Sequence, residues 1–157
     1  MPVVNSQQAG LIAASAALVA DQSTKAIVAM YADRLLDGLP VFTGFNVTFL
    51  RNDGVTFGLF GGVPWWALTF IAFAVCGVLA VLLWRTTRRL EAVAYGMIIG
   101  GAFGNIVDRL RFGAVTDFLD FYVGSTHWPA FNIADVAIVL GVILLFVPEK
   151  SSRSAKA

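Results

Sequence analysis

Asp135 demands a chemical explanation. It stands inside the apolar run 131–147, where an isolated carboxylate costs about 3 kcal/mol on insertion scales. An acid in that position marks a functional site by default. Asn132 lies three residues before it, so the two share one helix face. Asn105, Asp108 and Arg109 repeat that arrangement at i, i+3 and i+4. Asp21 and Lys25 are spaced i, i+4 with the acid first, the favourable order for an ion pair. Two carboxylates at a low-dielectric boundary suggest an aspartyl dyad, because close like charges do not both ionise easily and one keeps its proton. The ionised member takes a proton from water, the protonated member polarises a peptide carbonyl, and water attacks without an acyl-enzyme. Asp108, Asp117 and Asp120 are all candidate partners for Asp135, and spacing alone does not choose among them. Arg109 and Arg111 flank Asp108 and suit it to a structural ion pair. Asp120 reads as a solvated loop residue.

Other chemistries lack their residues. His127 is the single histidine, which excludes a His-pair metal motif such as HExxH. No Gly-x-Ser-x-Gly element is present. The single cysteine, Cys76, sits in the middle of an apolar run and reads as a small core or lipid-facing residue. No metal and no cofactor is expected.

The elements that position these groups follow from composition. Of 157 residues, 58% are hydrophobic and 13% charged, against about 25% charged in soluble domains. The net charge of +1 gives no sign of a nucleic-acid partner. Apolar runs occupy about 9–31, 65–84, 92–107 and 131–147. A membrane-spanning helix needs roughly 20 residues, so the last two are expected to extend into flanking polar residues. The first run has no basic residue before Lys25, so a retained helix is expected rather than a cleaved leader.

Basic residues set the orientation. Arg85, Arg88 and Arg89 lie between the second and third runs, and Lys150, Arg153 and Lys156 follow the fourth. The positive-inside rule places both segments in the cytoplasm. Both termini are then inside, and segments 32–64 and 108–130 face outward. That topology brings Asp21, Asn52, Asn105, Asp108, Arg109, Asp117, Asn132 and Asp135 to one depth, the outer boundary of the membrane. Gly96, Gly100 and Gly104 form a doubled Gly-xxx-Gly stripe that lets a neighbouring helix approach closely.

Alternation over 45–50, the turn signal Asn52-Asp53-Gly54, and renewed alternation at Val55, Phe57 and Leu59 predict a hairpin or small sheet in the first outer segment. Its apolar face is expected to rest on the membrane or on a substrate. The expected fold is therefore an all-α polytopic membrane protein with four transmembrane helices, both termini cytoplasmic, and a small β-hairpin or sheet within about 37–64. Residues 1–148 form one domain, and 149–157 form a disordered cytoplasmic tail.

The motifs, in order, resemble those of the bacterial lipoprotein signal peptidases, also called signal peptidase II. Asp21-Gln22-Ser23-Thr24-Lys25 is similar to the first motif, and Arg51-Asn52-Asp53-Gly54-Val55-Thr56-Phe57-Gly58 to the second. Gly100-Gly101-Ala102-Phe103-Gly104-Asn105-Ile106-Val107-Asp108-Arg109 resembles the third. Gly113-Ala114-Val115-Thr116-Asp117-Phe118-Leu119-Asp120 and Phe131-Asn132-Ile133-Ala134-Asp135 resemble the last two. The resemblance implies an aspartic endopeptidase of the bacterial inner membrane that cuts diacylglyceryl-modified prolipoproteins before the lipidated cysteine. It implies Asp117 and Asp135 as the catalytic pair. Asp21, Lys25, Asn52, Gly54, Asn105, Asp108, Arg109 and Asn132 then bind substrate or support the pair. It also implies inhibition by the cyclic depsipeptide globomycin, contact with membrane lipid, and a monomer. Val55-Thr56 stands where the family usually has two small residues, and Thr116 where valine is common.

Three other readings compete. A presenilin-like protease needs a Gly-x-Gly-Asp element, which is absent. A proton-coupled transporter using Asp21 and Asp135 needs a midplane site and usually repeats. A helix-bundle assembly factor would use its polar residues only as glue.

Overall fold

A computed structural model describes residues 5–54 and 63–148. Helix α1 runs Ser6–Met30 and opens on a capping box, in which the Asn5 side chain accepts from the Gln8 amide and the Gln8 side chain answers the Asn5 amide. A single turn, α2 (Ala32–Leu35), follows. Helix α3 (Trp65–Arg85) starts after Pro64, and helix α4 (Arg89–Phe112) stops at Gly113, whose φ of 70° closes the helix in the left-handed region. Helix α5 (Ile133–Leu145) begins on a second capping box, formed by Asn132 and Asp135.

Three of these helices, α1, α3 and α4, are long and apolar enough to cross a membrane. The third apolar run extends into its polar flanks as expected, reaching Phe112. The fourth does not. Asn132 caps α5 and Pro148 follows its end, which leaves 13 residues, about 20 Å of rise. Trp66, Phe70, Ile71, Val78 and Trp84 of α3 are exposed, as a lipid-facing helix requires.

Helix α4 is the central element, packed against α1, α3 and α5. The expected glycine stripe does what its spacing predicts. A Cβ at Gly96 or Gly100 would collide with the α1 backbone at Gly10 or Ala14, and one at Gly104 with the Asp21 carboxylate. A second close approach lies on another face of α4, against α5. There a Cβ at Gly101 would meet the Ala134 carbonyl, and one at Gly141 would come 2.8 Å from the Ala94 carbonyl.

A four-stranded antiparallel sheet caps the bundle in the order β1 (Leu39–Phe42), β2 (Phe45–Asn52), β3 (Val115–Val123), β4 (Thr126–His127). A hairpin does lie in the expected segment, formed by β1 and β2 and turning at Gly44 (φ 94°) rather than at 52–54. The renewed alternation at Val55, Phe57 and Leu59, and the tail 149–157, lie outside the described residues. Strand β3 corrects the reading of 108–130 as a short loop. Val115-Thr116-Asp117-Phe118-Leu119-Asp120-Phe121-Tyr122-Val123 is β-branched and aromatic, a strand composition. It pairs with β2 through Phe45↔Phe121, Asn46↔Asp120, Leu50↔Asp117 and Asn52↔Val115. Val28, Leu35 and Phe118 form the core where α1 meets the sheet.

Candidate active site

Five elements, α1, β2, α4, β3 and α5, bring their polar residues to the junction of sheet and bundle. Lys25 of α1 is at its centre, 4% exposed. Its Nζ lies 2.9 Å from Asp21 Oδ2 and 3.3 Å from Asp108 Oδ2, and it donates to Asn105 Oδ1 at 2.9 Å. Asp21 also accepts from the Ala134 amide at 2.9 Å, which ties α1 to the first turn of α5. Asp108 accepts from the Thr116 amide at 2.8 Å, tying α4 to β3. Gln22 Nε2 donates to both carboxylates, at 3.1 and 3.2 Å, and to the Gly104 carbonyl. The expected Asp21–Lys25 pair is present. The expected pairing of Asp108 with Arg109 or Arg111 gives way to Lys25, Gln22 and the Thr116 amide, because the face of α4 that carries Asp108 packs against α1. No buried side-chain nitrogen or oxygen among the described residues lacks a hydrogen bond, which is the condition for burying charge at tolerable cost.

Three side-chain amides beside this cluster are each oriented by a donor. Lys25 can only donate, so Asn105 turns its oxygen toward it and directs Nδ2 to Asp135 Oδ1 at 2.9 Å. The Asp135 amide claims Asn132 Oδ1 at 3.0 Å, so Asn132 Nδ2 points to Asp117 Oδ1 at 2.7 Å and to Asn105 Oδ1 at 3.2 Å. The Gly54 amide claims Asn52 Oδ1 at 3.0 Å, and Asn52 Nδ2 then reaches Asp117 Oδ2 at 2.8 Å. Gly54 has a φ of 105°, which favours glycine. Each amide thus has its oxygen taken by a group that only donates, and each N–H is aimed at Asp117 or Asp135.

Asp117 is 2% exposed. Burial, the largest influence, pushes its carboxyl from 3.8 to about 6. The Asp135 charge adds to the rise, and the Asn52 and Asn132 hydrogen bonds and the Lys25 charge oppose it. Asp135 is half-buried and forms part of the wall of an apolar groove of about 410 Å³. Arg109, also half-buried, lies within electrostatic reach of Asp135, Asp117 and Asp108. Chemically the arrangement offers two carboxyl groups in one hydrogen-bonded unit, one of them able to hold a proton near neutrality, beside an apolar surface.

All ten residues singled out from the sequence fall in or against this unit. Asp120 does not join it. It was expected to be solvated, yet it is 9% exposed and bonded to Asn46 and His127, because β3 is a strand and its neighbours cover that position. Gln22, Thr116 and Ala134 were not singled out. Gln22 lies within the polar patch of α1 and was open to notice, whereas a backbone amide such as that of Thr116 or Ala134 leaves no sequence signal.

Comparison with known proteins follows the same line. A family model described as Signal peptidase (SPase) II matches residues 13–149. A lipoprotein signal peptidase of Syntrophus aciditrophicus is 42% identical, over 94% of this chain and 95% of its own. One from Desulforapulum autotrophicum is 45% identical, over 79% and 80%. Among solved structures, a bacterial membrane enzyme at 2.3 Å resolution superposes with a TM-score of 0.78 at 28% identity, covering 94% of both chains.

Proposed function

The chain belongs to the signal peptidase II family, and from that membership and the amide-held carboxyl pair we propose that it is a lipoprotein signal peptidase of aspartic type. It cleaves the signal peptide from diacylglyceryl-modified prolipoproteins immediately before the lipidated cysteine. The observation that carries this reading is that Asn52, Asn105 and Asn132 all donate to Asp117 or Asp135 while their own oxygens are occupied.

Asp117 and Asp135 share one proton. The ionised carboxyl takes a proton from water as that water attacks the scissile carbonyl. The protonated carboxyl donates to the carbonyl oxygen. Collapse of the tetrahedral intermediate returns a proton to the leaving amine. With its carboxyl near 6, Asp117 gains and loses its proton in the working range, as a part that alternates between acid and base requires. Arg109 orients the substrate backbone, and the Asp21–Lys25–Asp108 cluster fixes Asn105 and so the geometry of the pair.

The enzyme sits in the cytoplasmic membrane as a monomer, with α5 as its fourth span, both termini cytoplasmic and the site at the outer face. Globomycin competes for the site. Single-turnover cleavage of a diacylglyceryl-modified peptide by purified variants tests this. Asp117→Asn and Asp135→Asn each abolish cleavage, and the double variant is hardly worse, because groups that act as a unit are non-additive. A folded Asp117→Asn protein that still cleaves, beside a folded and inactive Asp108→Asn or Asp120→Asn, would overturn the assignment.

A further inference from the structure

Strand β4 is two residues long, turned back on β3 at Gly124 (φ 60°) through the pairs Tyr122↔His127 and Val123↔Thr126. So short a strand is marginal by itself. A side-chain clasp outside the catalytic network holds it. His127 Nδ1 lies 2.8 and 3.0 Å from the two oxygens of Asp120, Asn46 Nδ2 donates to Asp120 Oδ2 at 3.1 Å, and the His127 ring stacks on Tyr122. Asp120 is buried, so the clasp joins β2, β3 and β4 from within. The next residue, Trp128, donates its amide to the Phe121 carbonyl at 2.7 Å. The clasp thereby fixes the backbone that carries the indole.

Trp128 is 64% exposed and lines the groove with Phe131, Asp135, Val136, Val139 and Leu140. Among the described lining residues Asp135 supplies the one charge. Val136, Val139 and Leu140 follow Asp135 at i+1, i+4 and i+5, so the groove runs from the carboxyl along one face of α5 into its apolar length. An apolar tail attached close to the bond that meets Asp135 comes to lie there. Apart from that carboxyl the described lining is aliphatic and aromatic, a surface suited to a flexible apolar chain.

Resting on the aspartic-peptidase reading above, we propose that Trp128 is a specificity-determining residue that packs on an acyl chain of the lipidated substrate, and that Asp120, His127 and Asn46 are its positioning residues. The test is steady-state cleavage by full-length variants of two substrates with one peptide sequence, carrying either hexadecanoyl or butanoyl chains. Trp128→Ala raises KM for the long-chain substrate about tenfold, leaves kcat within about twofold, and barely changes the short-chain values. Asp120→Ala and His127→Ala act in the same direction. Asp120→Asn, which keeps an oxygen for His127, restores most of the affinity, and Trp128→Phe restores part. An unchanged long-to-short KM ratio in folded Trp128→Ala overturns the inference while Asp117→Asn remains inactive. A KM rise that follows the length of the peptide's apolar run instead assigns the groove to the signal peptide and overturns the acyl occupant. Activity in Asp117→Asn and Asp135→Asn refutes the catalytic reading separately, since the chain-length ratio is still measurable.

Discussion

Removing the Asp117 carboxyl should make the protein less sensitive to pH in a direction that can be worked out beforehand. Folding raises this group from 3.8 to about 6. Between those values the native state holds a proton that the unfolded chain has lost, so native stability falls as pH rises through the window. The contribution is fully present below pH 3.8 and lost above about 6. A rise of that size corresponds to about 3 kcal/mol at neutral pH. Asp117→Asn has no proton to lose. Its stability relative to the parent should therefore rise by about 2.5 kcal/mol between pH 4 and pH 7.5, with most of the change complete near 6.

A constant offset opposes this gain. Asn52 and Asn132 each present an N–H to Asp117, and an asparagine there offers one oxygen between them, leaving a donor facing a donor at about 1–3 kcal/mol. The variant is then less stable than the parent at pH 4 and about equal to it at pH 7.5. Chemical unfolding of both proteins in the same detergent at a series of pH values measures the difference directly, and carboxyl groups that do not interact with Asp117 cancel in it. A difference that is flat, or that falls as pH rises, would refute the argument that burial dominates at Asp117.

The remaining expectations concern packing, charge and topology. Gly100→Val should fail to fold or melt far lower, because its Cβ meets the α1 backbone at Ala14, whereas Gly77→Ala, with open space around it, should gain up to about 1 kcal/mol from helix propensity; thermal melts compare them. Lys25→Met should cost about 3–5 kcal/mol by leaving Asp21 and Asp108 buried without their cation, and should lower cleavage further by releasing Asn105. Equal unfolding midpoints for Lys25→Met and the parent would contradict that account. Reporter fusions at Arg88 and near Asp53 should read inside and outside respectively, and an outside signal at Arg88 would overturn the orientation.

Local chemistry was legible in the sequence wherever it depends on spacing within one element. The apolar runs marked α1, α3 and α4, and the glycine period marked the face on which α1 and α4 meet. The i, i+4 spacing of Asp21 and Lys25 marked their pair, and the isolation of Asp135 in an apolar run singled out a carboxyl that joins the hydrogen-bonded unit around Asp117. Strand β3 was also written in its composition, but its place between two helices and its aspartates made it read as a loop. What the sequence alone could not decide was which groups meet across elements. Asp108 has two arginines beside it in the chain, yet it is held by a lysine 83 residues away, at 3.3 Å, because helix packing rather than chain proximity determines what shares a buried face. Asp120 looked solvated until the register of β2, β3 and β4 enclosed it. Spacing left Asp108, Asp117 and Asp120 equal as partners for Asp135. Tertiary structure gives them different surroundings through the directionality of amides: with Lys25, Gly54 and the α5 turn holding the three oxygens, the N–H groups converge on Asp117 and Asp135.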